Sequence, residues 1–117
     1  QIHRCTIDSI HFDCVQQGMA QVMTNGTGRW YNVPELQLCG KTGTVQNPHG
    51  KDHAIFIGFA PQDNPQIAIA VVVENAGFGS TWACPIASLL IEQYITKQIA
   101  RPELYNRMSN SYPKEDE

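Results

Sequence analysis

The sequence predicts an α/β fold in which one antiparallel sheet is flanked by helices, in the order helix, three strands, helix. Apolar residues recur with helical spacing near each end, and three Val-, Ile- and Thr-rich stretches lie between them, separated by Asn, Gly and Pro. With 117 residues, 42% hydrophobic and 16% charged, the chain has apolar content for one core, which excludes two domains and disorder throughout. A net charge of -3 and eight scattered Lys and Arg exclude a basic nucleic-acid groove. The longest apolar run, Ile67–Val73, is far short of the roughly 20 residues that span a bilayer, and residues 1–6 do not resemble a secretory signal.

Phe12, Val15, Met19, Val22 and Met23 fall on one side of a helix and seek a sheet or a second helix. Asp8 or Ser9 can cap its start, and Asn25-Gly26 offers a left-handed stop. Residues 27–34 then read as a loop. Residues 36–46 lack helical period and caps but are rich in Thr and Val, so a strand is expected there. Asn47-Pro48-His49-Gly50 makes a turn, after which His53, Ile55, Ile57 and Phe59 alternate with the smaller Ala54, Gly58 and Ala60 in a second strand ended by Pro61. After Asp63-Asn64-Pro65 comes a third strand over residues 66–74, continuous in its apolar character and therefore expected to be central and covered on both faces. The last two strands should form an antiparallel hairpin.

Residues 75–80 form a glycine-bearing loop, and Ser80 or Thr81 can cap a second helix that tolerates Pro85 in its first turn. Ile86, Leu89, Leu90, Tyr94 and Ile95 give this helix a broad apolar face, Arg101-Pro102 should stop it, and residues 102–117 read as a polar tail. Trp30 and Trp82 are expected to be packing residues. The cysteines at 5, 14, 39 and 84 form no C-x-x-C pair, and their plain reading is as buried small hydrophobes. His3, Cys5, His11 and Cys14 are a zinc-ligand alternative, but their spacing fits no familiar finger, and Phe12 and Val15 interleave them. No metal or other cofactor is therefore assigned.

Gly40-Lys41-Thr42-Gly43-Thr44 is the most informative stretch. A P-loop would need glycine where Glu35 stands and a helix starting where Gly43 and Val45 do not start one, so phosphate binding is rejected. Lys-Thr-Gly also occurs on edge strands beside acyl-transfer sites, where ammonium, hydroxyls and exposed backbone face a bound peptide. A solvated edge-strand lysine is the bland alternative. His49 and His53 sit in a turn and at a strand start, positions where histidine is usually hydrogen-bonded or exposed, and neither is assigned a catalytic part.

Gly18-Met19 and Gly26-Thr27-Gly28 precede the Lys-Thr-Gly motif. The stretch from His53 to Pro61, Val73-Glu74-Asn75, Gly79-Ser80 and Ala83-Cys84-Pro85-Ile86-Ala87 follow it. In this order and spacing, residues 12–100 resemble the C-terminal part of a penicillin-binding protein transpeptidase domain, most similar to the class B elongation type. The resemblance implies a partial β-lactamase/transpeptidase-like fold in which residues 1–101 are the C-terminal fragment of the domain. It implies that Lys41 holds positive charge beside a catalytic serine and that Thr42 and Thr44 hydroxyls bind the carboxylate of a stem peptide or a β-lactam. It further implies that Gly43 keeps the strand surface clear and that the Thr44 N–H is one of two oxyanion donors, a contribution of about 3 to 4 kcal/mol to barrier lowering.

The family's nucleophile comes from a Ser-x-x-Lys turn, with a separate Ser-x-Asn element, both N-terminal to Lys-Thr-Gly. The chain has no Ser-x-Asn, and Ser111-Tyr112-Pro113-Lys114 follows the motif in a polar stretch, so it reads as chance. No Gly-x-Ser-x-Gly elbow supports another serine hydrolase either. The resulting expectation is a fragment of a peptidoglycan D,D-transpeptidase, silent alone, whose parent sits at the periplasmic face of the bacterial inner membrane through an anchor outside these residues. Its partners would be stem peptides, β-lactams and the rest of the domain, and its exposed edge favours a homodimer or strand exchange. A noncatalytic binding or regulatory module of the same fold is the alternative, with a zinc-binding module third.

Overall fold

A computed structural model describes residues 3–113. The element order is α1 (Ser9–Thr24), β1 (Cys39–Val45), β2 (His53–Ala60), β3 (Ile67–Val73), α2 (Ala83–Thr96) and α3 (Pro102–Asn110), with 3-10 turns at Arg29–Tyr31 and Pro34–Leu36. The expected helix, three strands and helix are present, and a third helix follows them.

Asp8 caps α1 through its side chain, which accepts from the Ile10 N–H at 3.3 Å. The helix closes without the expected left-handed residue: Asn25 has φ -143°, and the N–H groups of Asn25 and Gly26 both donate to the Gln21 carbonyl at 3.0 Å. Of its apolar face only Met23 is buried, while Phe12 and Val15 are exposed. The expectation that this whole face packs is corrected: α1 meets β1 and the first 3-10 turn through its C-terminal half.

The sheet runs β1-β2-β3, with both pairs antiparallel. Opposed residues include Thr42 with Phe56, Thr44 with Ala54, and Phe56 with Val71. The central strand is thus β2, and β3 is an edge, which corrects the expectation drawn from its continuous apolar run. Ile67, Ile69, Val71 and Val73 are half-buried, whereas Ala68, Ala70 and Val72 are exposed. The reason is geometric: α2 lies over one face only, and successive side chains of a strand point to opposite faces.

The core lies between that face and α2, where Phe56, Ala54 and Ala60 join Ala83, Cys84, Ala87 and Ile91. A Cβ on Gly40 would collide with the Phe56 ring, and one on Gly58 would lie 2.6 Å from the Cys39 carbonyl oxygen, so the ring fills space that two absent side chains leave. Ser88 on α2 donates to the Tyr31 carbonyl at 2.6 Å. Glu92, 4% exposed, accepts from Arg101 Nε at 3.4 Å.

Helix α2 has no side-chain cap from Ser80 or Thr81; Trp82 is its N-cap residue. It ends at Thr96, five residues before the expected stop, with Lys97 in the left-handed region at φ 64°. Pro102 begins α3, where a missing N–H costs nothing, so the segment read as a polar tail holds a helix. Leu104 and Met108 of α3 are half-buried. Trp82 packs against the core as expected, whereas Trp30 is 76% exposed and carries the Arg29 guanidinium 4.9 Å above its ring.

Candidate active site

Strand β1 forms one edge of the sheet, so its outer side has no strand partner among the described residues. Alternation divides the motif: Thr42 and Thr44 point to the same face as Phe56 and Ala54, while Lys41 and Gly43 point to the other. Lys41 is exposed, and its ammonium donates to the Thr42 carbonyl at 2.9 Å. The Thr42 and Thr27 hydroxyls are 2.9 Å apart and share a hydrogen bond, which ties the turn after α1 to the motif. Thr44 is exposed near the end of the strand.

At Gly43 a Cβ would meet Ile55 Cβ at an ordinary 3.6 Å, so the sheet itself does not require glycine there. The demanding position is Gly79. A Cβ on Gly79 would collide with the carbonyl oxygens of Gly43 and Ile55, because the loop entering α2 lies directly against the backbone of β1 and β2. The Cys84 N–H donates to the Gly79 carbonyl at 2.9 Å, joining this contact to the first turn of α2.

A polar network fixes the two loops beside the end of β1. Asp52 Oδ1 accepts from the Asn47 N–H at 3.1 Å, and Asn47 Nδ2 donates to Asn75 Oδ1 at 2.6 Å and to the Lys51 carbonyl at 3.2 Å. The Asn75 N–H donates to His53 Nδ1 at 3.0 Å, and the Gly77 N–H donates to the Asp52 carbonyl at 2.8 Å. Asn75 sits at φ 55°, a conformation that Asn tolerates better than most residues. Sequence reasoning missed Asn47, Asp52, Asn75 and Thr27. The signals were the Asn-rich turns and the Gly-Thr-Gly, which carry no information about each other until the fold joins them. His53 is held in this network and His49 is exposed in the turn.

The four residues weighed as zinc ligands are not brought together: among the described residues no group of three or more His, Cys, Asp and Glu side chains can hold a metal ion. Cys5 and Cys14 are exposed, contrary to their expectation as buried hydrophobes, while Cys39 and Cys84 are buried. Burial pushes the Cys39 thiol up and raises the Cys84 thiol to about 12, the latter against the opposing charge of Arg101. Neither buried thiol has the thiolate character of a nucleophile. No described helix is long and apolar enough to cross a membrane.

Residues 1–92 match the penicillin binding protein transpeptidase domain. Peptidoglycan D,D-transpeptidase MrdA of Haemophilus influenzae is 34% identical over 81% of this chain, and MrdA of Acinetobacter baumannii is 35% identical over 75%. The chain spans only 17% and 15% of the lengths of these relatives. Among solved structures, Pseudomonas aeruginosa PBP2 in complex with WCK 5153 superposes with a TM-score of 0.69 at 32% identity, over 95% of this chain and 24% of that one. The imipenem acyl-enzyme complex of penicillin-binding protein A from M. tuberculosis gives 0.70 at 29% identity, over 80% of this chain and 21% of that one. The match over most of its length, joined to an antiparallel sheet with Lys-Thr-Gly on its edge, makes this chain a member of the penicillin-binding protein transpeptidase domain family.

Proposed function

We propose that this chain is the part of a peptidoglycan D,D-transpeptidase that presents β1 to a stem peptide or to a β-lactam. The observation that carries the proposal is Lys41-Thr42-Gly43-Thr44 on a sheet edge whose outer backbone has no strand partner among the described residues. An extended peptide can pair with such an edge, and the Thr42 and Thr44 hydroxyls supply donors for its terminal carboxylate. Lys41 adds positive charge for that carboxylate and for the proton inventory of the reaction. The Thr44 N–H is one of the two donors to the oxyanion. Acyl transfer takes its serine from a segment outside this chain, so residues 1–101 belong to a larger domain and the chain alone forms no acyl-enzyme. The parent acts at the periplasmic face of the bacterial inner membrane.

The test is exposure to a fluorescent penicillin. The 117-residue chain alone should take no covalent label, and the longer protein that contains it should label rapidly. Lys41→Ala should slow that labelling by about a hundredfold or more, the usual scale for a proton-transfer group. Label on the chain alone would refute its silence, and unchanged labelling of the Lys41 variant would remove that residue from the site.

The same proposal extends to self-association. Val45, Ile57 and Val72 are 45%, 49% and 59% exposed on one face of a sheet whose edge strands β1 and β3 have no further strand partner among the described residues, which favours a homodimer or strand exchange of the fragment. Light scattering that shows a monomer across concentrations counts against this.

A further inference from the structure

We propose that the cleft between the β1–β2 loop and the loop entering α2 is a seat for the extended segment after α3, and that the chain closes one side of it in cis with its own Pro113. The cleft measures about 480 Å³ and opens beside Thr44, with Gly50 and Asp52 on one wall, Gly77 and Phe78 on the other, and Trp82 behind them. Pro113 lines it, and also lines the adjoining cleft of about 410 Å³ at His49 and Glu74. A residue after α3, nearly seventy positions beyond the motif, thus lies against the loop that follows the motif.

Three features make this a recognition groove. Its walls are fixed in advance: the Gly77 N–H to Asp52 bond at 2.8 Å and the Asn47 bonds to Asp52 and Asn75 hold both loops, so a ligand does not have to order them. Its rim is aromatic, with Phe78 71% exposed, and a flat apolar ring such as proline's packs well on such surfaces. Its occupant is already extended: Ser111 has φ -108° and ψ 154°, and a residue placed as Tyr112 is, before proline, is steered away from helix. Proline also enters with little rotamer entropy to lose. The Tyr112 ring is 78% exposed, which leaves Pro113 as the residue of this segment that lines the groove.

Because the groove shares Thr44 with the motif, its occupancy is felt at the end of β1. This inference stands apart from acyl transfer, and its test uses none. A chain ended after Asn110 is compared with the full chain by backbone amide and indole NMR shifts. The Thr44, Gly50 and Gly77 amides and the Trp82 indole should move, while those of Phe56 and Ile91 in the core should not. A synthetic peptide of residues 109–117, added in trans, should return the four signals saturably to their full-chain positions. Phe78→Ala, at an exposed site, should weaken that peptide by about tenfold, the scale of one lost aromatic anchor. Should the shortened chain fail to fold, Pro113→Gly in the full chain must move the same four signals. Signals that stay in place on truncation or in the Pro113 variant, or that the peptide fails to restore, would overturn the proposal.

Discussion

The two faces of the sheet are equally apolar in sequence and opposite in environment. On one, Ala54, Phe56 and Ala60 meet α2 and are at most 2% exposed. On the other, Ile57 and Val72 remain about half exposed, and Val45 with them. The difference shows that apolar character along the strands does not by itself say which face α2 covers. An apolar face left open is favoured only where a further element buries it, and the small share of its relatives' length that the chain spans is consistent with that.

The comparison predicts a gradient of mutational cost. Phe56→Ala should be the most damaging change, at about 3–5 kcal/mol, because the ring fills the space over Gly40 and Gly58 and no neighbour can close the void; urea unfolding measures it. Arg101→Met should cost less, about 1–2 kcal/mol, by leaving the nearly buried Glu92 carboxylate without its cation at a site that water partly reaches. On the open face, Ile57→Thr or Val72→Thr should stay within about 0.5 kcal/mol, while lowering self-association in sedimentation runs. An equal cost on both faces would break the comparison.

The thiols extend the contrast to chemistry. Alkylation at neutral pH should modify Cys5 and Cys14 without shifting the melting midpoint, and reach Cys39 and Cys84 only as the chain unfolds. Keeping Cys84 neutral contributes stability that is present in full below the ordinary thiol value of 9.0 and is lost as pH rises toward about 12. Replacing Cys84 by Ala should flatten that decline in a pH series of unfolding curves.

The hairpins were legible because their turns are written in Asn, Pro and Gly and their strands in β-branched residues. Strand β3 was misplaced because an apolar run such as Ile67–Val73 records neither how many strand partners it has nor which of its faces α2 covers. Helix α3 was missed because Pro102 was read as a stop. It is a start, and the real end of α2 is Lys97, a residue without the glycine signature of a left-handed cap. Lys41, Thr42, Gly43 and Thr44 stood out through the resemblance carried by the residues that flank them, since a bare Lys-Thr-Gly also fits a solvated edge strand. The loop network did not, since Asn47 and Asn75 are separated by 28 positions and meet only once β2 and β3 have paired.

The contact at Gly79 has a consequence for how the sheet comes apart. An edge strand ordinarily frays first, its amides exchanging with solvent through small local openings. Here the loop that leaves β3 passes over β2 and rests on the backbone of Gly43, then continues into the first turn of α2. Peeling β1 away removes a support from the start of α2, so the amides of β1 and those of the first turn of α2 should exchange as one cooperative unit, protected together and lost together.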